Sequence, residues 1–464
     1  MKRLIYIIVF VPFLCFSQGW NQVGTDIDGE AVEDRLGHAV AINGDGTVIA
    51  AGALSNDDNG ANSGHVRVYE YVFGVWTQKG QDIDGEAADD GSGSSVALNN
   101  DGNIVAIGAP YNSGNGADAG HVRVYQYGSG SGQWTQIGLD IDGEAAGDEC
   151  GRSVSLNNSG TILAVGASKN SGNGNASGHV RVYGEIFGFW TQIGSDIDGE
   201  AADDLSGYSV SLSGDGDVVA IAAKENDGSA LDAGHVRVYE NSGGNWVQTG
   251  QDIDGEASGD DFGREVSLND NGNILAVGAS GNDDAGFNAG HARVYENILG
   301  TWTQIGQDLD GEATSDYFGK SVSLNSTGTV LAVGGYMNDA NNQTTSNKGH
   351  TRVFNNVGGS WFQIGQDIDG EAANNYSGAA VCLSNSGERI IIGAPFNADN
   401  GFSSGHVRVF ENTSVPASIQ NINFTSNSNS RIVDILSREV NESKNKVLFY
   451  IYDNGRVDKK IILE

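Results

Sequence analysis

Apolar and polar side chains alternate in short runs along most of this chain. In His65-Val66-Arg67-Val68-Tyr69 the valines fall on one side and His65, Arg67 and Tyr69 on the other, the period of two that a β-strand requires. Such runs are bounded by glycine or by Asn/Asp turns, so the pattern predicts many short strands.

The pattern recurs. Asp-Ile-Asp-Gly-Glu, once with Leu for Ile, begins at Asp26, Asp82, Asp140, Asp196, Asp252, Asp308 and Asp367, with spacings of 56, 58, 56, 56, 56 and 59 residues. A tryptophan stands six residues before every copy: Trp20, Trp76, Trp134, Trp190, Trp246, Trp302 and Trp361. Seven of the eight histidines open a His-Val-Arg-Val-Tyr type run. Each repeat holds four strand-like runs, seen in the second at residues 94–98, 103–109, 121–126 and 133–137. Four short antiparallel strands repeated seven times predict an all-β fold, a seven-bladed β-propeller of four-stranded blades. The chain opens with a fourth-type strand at 20–24, and its last repeat ends after a third-type strand at 406–410. The N-terminal strand is therefore expected to complete the last blade.

If Phe73-Gly74 is a two-residue turn, Tyr71 faces Trp76, Tyr69 faces Gln78, Arg67 faces Gly80 and His65 faces Asp82. That register assigns Trp76, His65 and Arg67 structural roles, with Asp82 holding the histidine and the arginine. The alternative for the acidic loop is a hard cation, because Asp82, Asp84 and Glu86 lie within five residues and could converge on calcium. No other cofactor is expected. Histidines and arginines present in seven equivalent copies do not make the single constellation that catalysis needs.

Composition narrows the setting. The 69 glycines against four prolines suit tight turns between strands. Lys2 and Arg3, an apolar run over 4–16 and then Ser17-Gln18 have the layout of a secretory signal peptide, expected to span 1–17. Cys15 lacks the small residues that precede a lipidated cysteine. Loss of residues 1–17 removes two of 25 basic residues and none of 60 acidic ones, leaving a net charge of −37. Nucleic acid is then excluded as a partner, since phosphate contacts need a basic face. No later stretch reads as a transmembrane segment. Cys150 and Cys382 sit in unlike repeat positions and read as unpaired packing thiols.

Phe318-Gly319-Lys320-Ser321-Val322, Leu331-Ala332-Val333-Gly334 and the triplets Gly108-Ala109-Pro110 and Gly393-Ala394-Pro395 resemble the FG-GAP repeat of integrin α-subunit-like propellers. The resemblance implies a seven-bladed ring with ligand recognition on the face carrying the loops between blades. It also implies calcium in some first hairpin turns, but these read Asn43-Gly44-Asp45-Gly46 or Asn99-Asn100-Asp101-Gly102, too short for that loop. Beyond the propeller, 18–412, a Ser/Asn-rich linker is expected over 413–430 and a short β tail over 431–464. Asp434-Ile435-Leu436-Ser437-Arg438-Glu439 and the basic-apolar end resemble the C-terminal sorting signal of the Bacteroidota type IX secretion machinery, with Ser437 in place of the usual glycine. The resemblance implies a secreted or outer-surface location. The other reading of the tail is a small hairpin packed on the propeller.

Departures from the repeat mark where a ligand is expected. In the Gly-x-Ser-Val element that opens the innermost strand, x is His38, Ser94, Arg152, Tyr208, Arg264, Lys320 and Ala379, a ring at the mouth of the central channel. Its cations would make a positive spot for a carboxylate or sulfate, unless Asp148, Asp260 and Asp316 neutralise them. The loops between second and third strands, at 111–119, 224–233 and 336–348, are expected at the same mouth. Arg152, Tyr208, Arg264, Lys320 and Tyr336 are thus the expected ligand contacts. The function expected is non-catalytic recognition or adhesion toward an extracellular glycan or protein. The alternatives are a polysaccharide lyase or hydrolase on the same scaffold, or a spacer with no ligand.

Overall fold

The computed structural model describes residues 19–339, 346–412, 430–433, 447–452 and 457–461. The expected leader, 1–17, and all but the last residue of the expected linker, 413–430, lie outside the described residues. Compact units span 1–414 and 415–464.

Seven antiparallel sheets make up the first unit, and in six of them the four long strands pair in sequence order. Blade 1 shows the plan: Leu36–Ile42 innermost, then Val48–Ala53, His65–Val72 and Val75–Gln78. The Ile-Asp of the acidic segment, here Ile83–Asp84, adds a two-residue extension along the third strand. In blade 7, Ala380–Leu383, Arg389–Ala394 and His406–Asn412 are completed by Trp20–Gln22, with Trp20 opposite Asn412 and Gln22 opposite Phe410. The ring is closed by both ends of the repeat array, as the strand order predicts.

Valine, isoleucine and alanine from one blade meet the tyrosine and tryptophan of the next. Val48, Val66, Val68 and Ile83 of blade 1, for example, pack with Val105, Ile107, Tyr125 and Trp134 of blade 2. Each fully buried Val or Ile contributes about 1.5–3 kcal/mol, so seven such layers supply the cohesion that disulfides do not. Cys150 and Cys382 are indeed free thiols, and burial pushes Cys150 up to about 12. Near the channel the blades approach so closely that a Cβ on Gly166 would lie 2.1 Å from the carbonyl oxygen of Gly207.

Two polar devices repeat at all seven seams. Every tryptophan indole donates to a carbonyl of the preceding blade: Trp76 to Val23 at 2.8 Å, Trp246 to Ile193 at 2.9 Å and, across the closure, Trp20 to Ile364 at 3.0 Å. Each strand arginine also pairs with the glutamate of the preceding acidic segment. The pairs are Arg67 with Glu30, Arg123 with Glu86, Arg181 with Glu144, Arg237 with Glu200, Arg293 with Glu256, Arg352 with Glu312 and Arg408 with Glu371.

The hairpin register departs from expectation at one place. Tyr71 faces Trp76 and Tyr69 faces Gln78, but His65 faces Asp84 rather than Asp82. Gly80, at φ +84°, and its neighbours bulge out and insert two residues, which shifts the register by two while preserving which face each side chain occupies. Asp82 then reaches Arg67 through two bonds, at 3.0 and 2.7 Å. His65 lies 3.9 Å from Asp58 rather than within ion-pair range of Asp82, whereas the expected pairing of histidine with the first aspartate does occur as His121 with Asp140 at 3.9 Å, His179 with Asp196 at 3.7 Å and His350 with Asp367 at 3.6 Å.

In the second unit Ser430–Val433, Val447–Tyr452 and Val457–Ile461 form a three-stranded antiparallel sheet, one strand more than a hairpin. Among the described residues no helix is long and apolar enough to cross a membrane.

Candidate functional site

The innermost strand of most blades is interrupted after its first residue. In blade 3 Cys150 pairs with Ala167 and Ser153 with Gly166, so Gly151 and Arg152 bulge from the ladder. Gly151 takes φ +85°, and a Cβ there would meet the carbonyl of His121 at 2.5 Å, which is why glycine precedes every variable position. The bulge turns the variable side chain toward the channel mouth.

These side chains meet in one cavity of about 330 Å³. All seven variable positions line it, and so does Tyr336 at the start of a second-to-third-strand loop. Arg152, Tyr208, Arg264, Lys320 and Tyr336 are therefore brought together. Within loop 336–348, residues 340–345 lie outside the described residues.

Tyr208 is the centre of the cationic side. Its hydroxyl accepts from Arg152 Nη2 at 2.6 Å, and the guanidinium carbons of Arg152 and Arg264 stand 4.5 and 5.2 Å from its ring centre. Lys224 Nζ lies 5.0 Å from the same centre. On the other side an aromatic arc runs from Tyr317 through Tyr336 and Tyr376 to Phe396, with successive ring centres 5.7, 5.9 and 4.9 Å apart. Lys320 Nζ caps Tyr336 at 6.0 Å and Arg35 caps Phe396 at 5.4 Å.

Residues outside the expected set complete the cavity. Arg35 adds a guanidinium, and Glu265 stands where the Gly-x-Ser-Val element has serine or alanine in every other repeat. Aligning the position after x would have exposed Glu265 as the one carboxylate in the ring. Burial, reinforced by Arg264, holds the Lys320 ammonium down at about 7, with Glu265 opposing the shift. Burial raises the Glu265 carboxyl, against the pull of Lys320 and Arg264. His38 is driven to about 3 by burial and by the surrounding Lys320, Arg152, Arg35 and Arg264, so it is neutral at pH 7.

The three aspartates that could have neutralised this charge are engaged elsewhere. Asp148 accepts from the backbone N–H groups of Glu144 and Ala145 and from Asn170, Asp260 from Ala257 and Asn282, and Asp316 from Glu312, Ala313 and Asn338. All three are buried inside their own loops. The strand arginines and Arg389 each meet a carboxylate, whereas Arg35, Arg152 and Arg264 form no ion pair among the described residues. Nε of both Arg35 and Arg264 is buried without a hydrogen-bond partner.

The acidic segment points its carboxylates apart. Asp82 binds Arg67, Asp84 lies opposite His65, and Glu86 reaches Arg123 and His121 of the next blade. Convergence of these three on one calcium is thus replaced by a guanidinium between loops. Clusters drawn from two loops, such as Glu86, His121 and Asp140, do bring ligand atoms within 4.8 Å of one another, with the arginine alongside.

The FG-GAP repeat model matches residues 253–295. No curated protein matches the sequence. Among solved structures, a protein described as a candidate 6-phosphogluconolactonase of Bacteroides uniformis is similar at TM-score 0.50 and 13% identity, over 73% of this chain and 86% of that one. The periplasmic gluconolactonase of Pseudomonas aeruginosa matches at TM-score 0.48 and 15% identity, over 72% and 86%. The first likeness is one of fold alone.

Proposed function

We propose that this chain is a non-catalytic recognition module of the cell exterior that holds an anionic group of a glycan or protein ligand in the cavity at the channel mouth. One observation carries the reading: Arg35, Arg152 and Arg264 lack ion-pair partners and converge with Lys320, in a chain of net charge −35 where carboxylates are abundant. Leaving a buried guanidinium N–H unsatisfied, as at Nε of Arg35 and Arg264, is costly, and a ligand acceptor at the mouth would offset that cost. The leader-like residues 1–17 and the sorting-like tail accord with export through the type IX machinery and an adhesive role at the surface.

The test is a glycan and peptide array probed with the chain and with the double variant Arg152→Ser plus Arg264→Ser, which must keep the parent's thermal transition. Loss of the dominant signal is the expected result. An unchanged signal removes the cavity as the binding site.

A second reading, an enzyme acting on polysaccharide, draws on the Lys320 and Glu265 pair, whose proton affinities are shifted toward each other. Among the described residues Glu265 is the single carboxylate lining the cavity, so a two-carboxylate hydrolysis finds no second member among them. Release of reducing ends from acidic polysaccharides by the parent, abolished in Glu265→Gln, would favour this reading.

A further inference from the structure

The cavity is not uniformly cationic, and the one carboxylate that lines it among the described residues narrows the ligand. Glu265 is half-buried, forms no ion pair among the described residues, and accepts one hydrogen bond, from Ser209 Oγ at 3.4 Å. A carboxylate so placed has oxygen lone pairs free for donors and repels a second negative charge. The neighbouring guanidinium groups need the reverse, an acceptor with a full negative charge that matches their fork. A ligand satisfying both carries one carboxylate and, within a few ångströms of it, hydroxyl groups that donate.

The aromatic arc adds the third requirement. Tyr336, Tyr376 and Phe396 present ring surface beside the cations, and Phe396 is 36% exposed. Such surface favours a rigid ligand with an apolar face. A volume of about 330 Å³ admits one or two sugar rings and is at the small end of ligand pockets. Its place on the propeller axis, bounded by all seven blades, favours the end of a ligand over the middle of a chain.

We infer that the cavity takes the terminal residue of an acidic glycan, a uronic acid. Its carboxylate lies with Arg152 and Arg264, its hydroxyls donate to Glu265, and its ring faces the Tyr336 side. The inference rests on the anion-site reading above and goes further, excluding polyglutamate-like peptides, which lack hydroxyl side chains, and doubly charged phosphates, which Glu265 repels.

Calorimetric titration of the full chain with trigalacturonic acid, its methyl ester, neutral galactotriose, inorganic sulfate and a tetraglutamate peptide tests it. Trigalacturonic acid is expected to bind tightest, and esterification to weaken binding about tenfold or more, the loss of one charge-assisted contact. Glu265→Gln, nearly equal in size, should weaken trigalacturonic acid and leave sulfate unchanged or tighter. Arg264→Gln should weaken both, with circular dichroism confirming that each variant folds. Equal binding of acid and ester, or no effect of Glu265→Gln on the acid, overturns the inference. Arg264-dependent binding of sulfate or peptide at least as tight as that of the acid overturns the sugar assignment alone. Absence of any Arg264-dependent anion binding overturns the anion site with it.

Discussion

Trp20 donates its indole N–H to the carbonyl of Ile364 at 3.0 Å, 344 residues away in sequence, and so ties the first strand of the chain to the blade before the one it completes. The same strand pairs with His406–Asn412 through Trp20, Asn21 and Gln22. Deleting residues 18–27 removes both and leaves the third strand of blade 7 as an open edge. The deletion should lower the thermal midpoint and promote aggregation, read by light scattering during melting; a soluble protein with the parent's transition would refute closure at this seam.

The arginine clamps are repeated but not identical, and that difference is measurable. Arg293 is held by both Asp308 and Glu256, whereas Arg237 pairs with Glu200 and binds the carbonyl of Asp198, while Asp252 accepts from Gln248 at 2.6 Å. Asp308→Ala strands half of a buried cation's partners and should cost about 1–3 kcal/mol. Asp252→Ala should cost less. Chemical denaturation of the two variants decides it, and equal losses would show that the bidentate contact adds nothing.

Acid should destabilise the ring through its strand histidines. Burial, with the adjacent arginine, lowers the proton affinity of His121, His235 and His406 to about 4 and also lowers that of His65, His179 and His291. The folded state thus binds fewer protons than the unfolded chain between about 4 and 6.5. The stability these neutral imidazoles contribute is complete above 6.5 and is lost as pH falls through that window. Burial, chiefly, raises Asp28, Asp142 and Asp254, and these carboxyls oppose the loss at the acid end. The denaturation midpoint should fall between pH 7 and pH 5. A flat profile would mean that the histidines are accessible to solvent.

Much of this architecture was legible because packing repeats in the sequence. Trp20 before any first-type strand and a last repeat lacking its fourth strand implied the closure, and the variable residue after each bulge glycine implied the mouth. The His65 register was misread because Gly80 and Gln81 look like continuing strand, and only their backbone geometry reveals the inserted pair. Glu265 is hidden in the sequence because the position after x is a small Ser or Ala in the other six repeats, while Arg35 lies in a loop where alternation gives no facing. The engagement of Asp148, Asp260 and Asp316 by their own loop amides is a three-dimensional fact that charge counting does not supply.

Lys320 makes ligand binding at the mouth sensitive to pH near neutrality. Its ammonium titrates at about 7 because burial and Arg264 disfavour the charge, although Glu265 favours it. As pH rises from 6 to 8 the cavity loses this positive charge, which weakens attraction for an anion. Guanidinium groups do not deprotonate in this range and His38 stays neutral, so the affinity should decline to a plateau rather than vanish. Titration of the full chain with trigalacturonic acid at pH 6, 7 and 8 and constant ionic strength measures the decline, expected to be several-fold for one partly desolvated charge. Lys320→Arg keeps the cation at all three values and should flatten the profile while preserving affinity at pH 6. A wild-type affinity independent of pH, or a Lys320→Arg variant that retains the full decline, would mean that Lys320 does not face the bound anion.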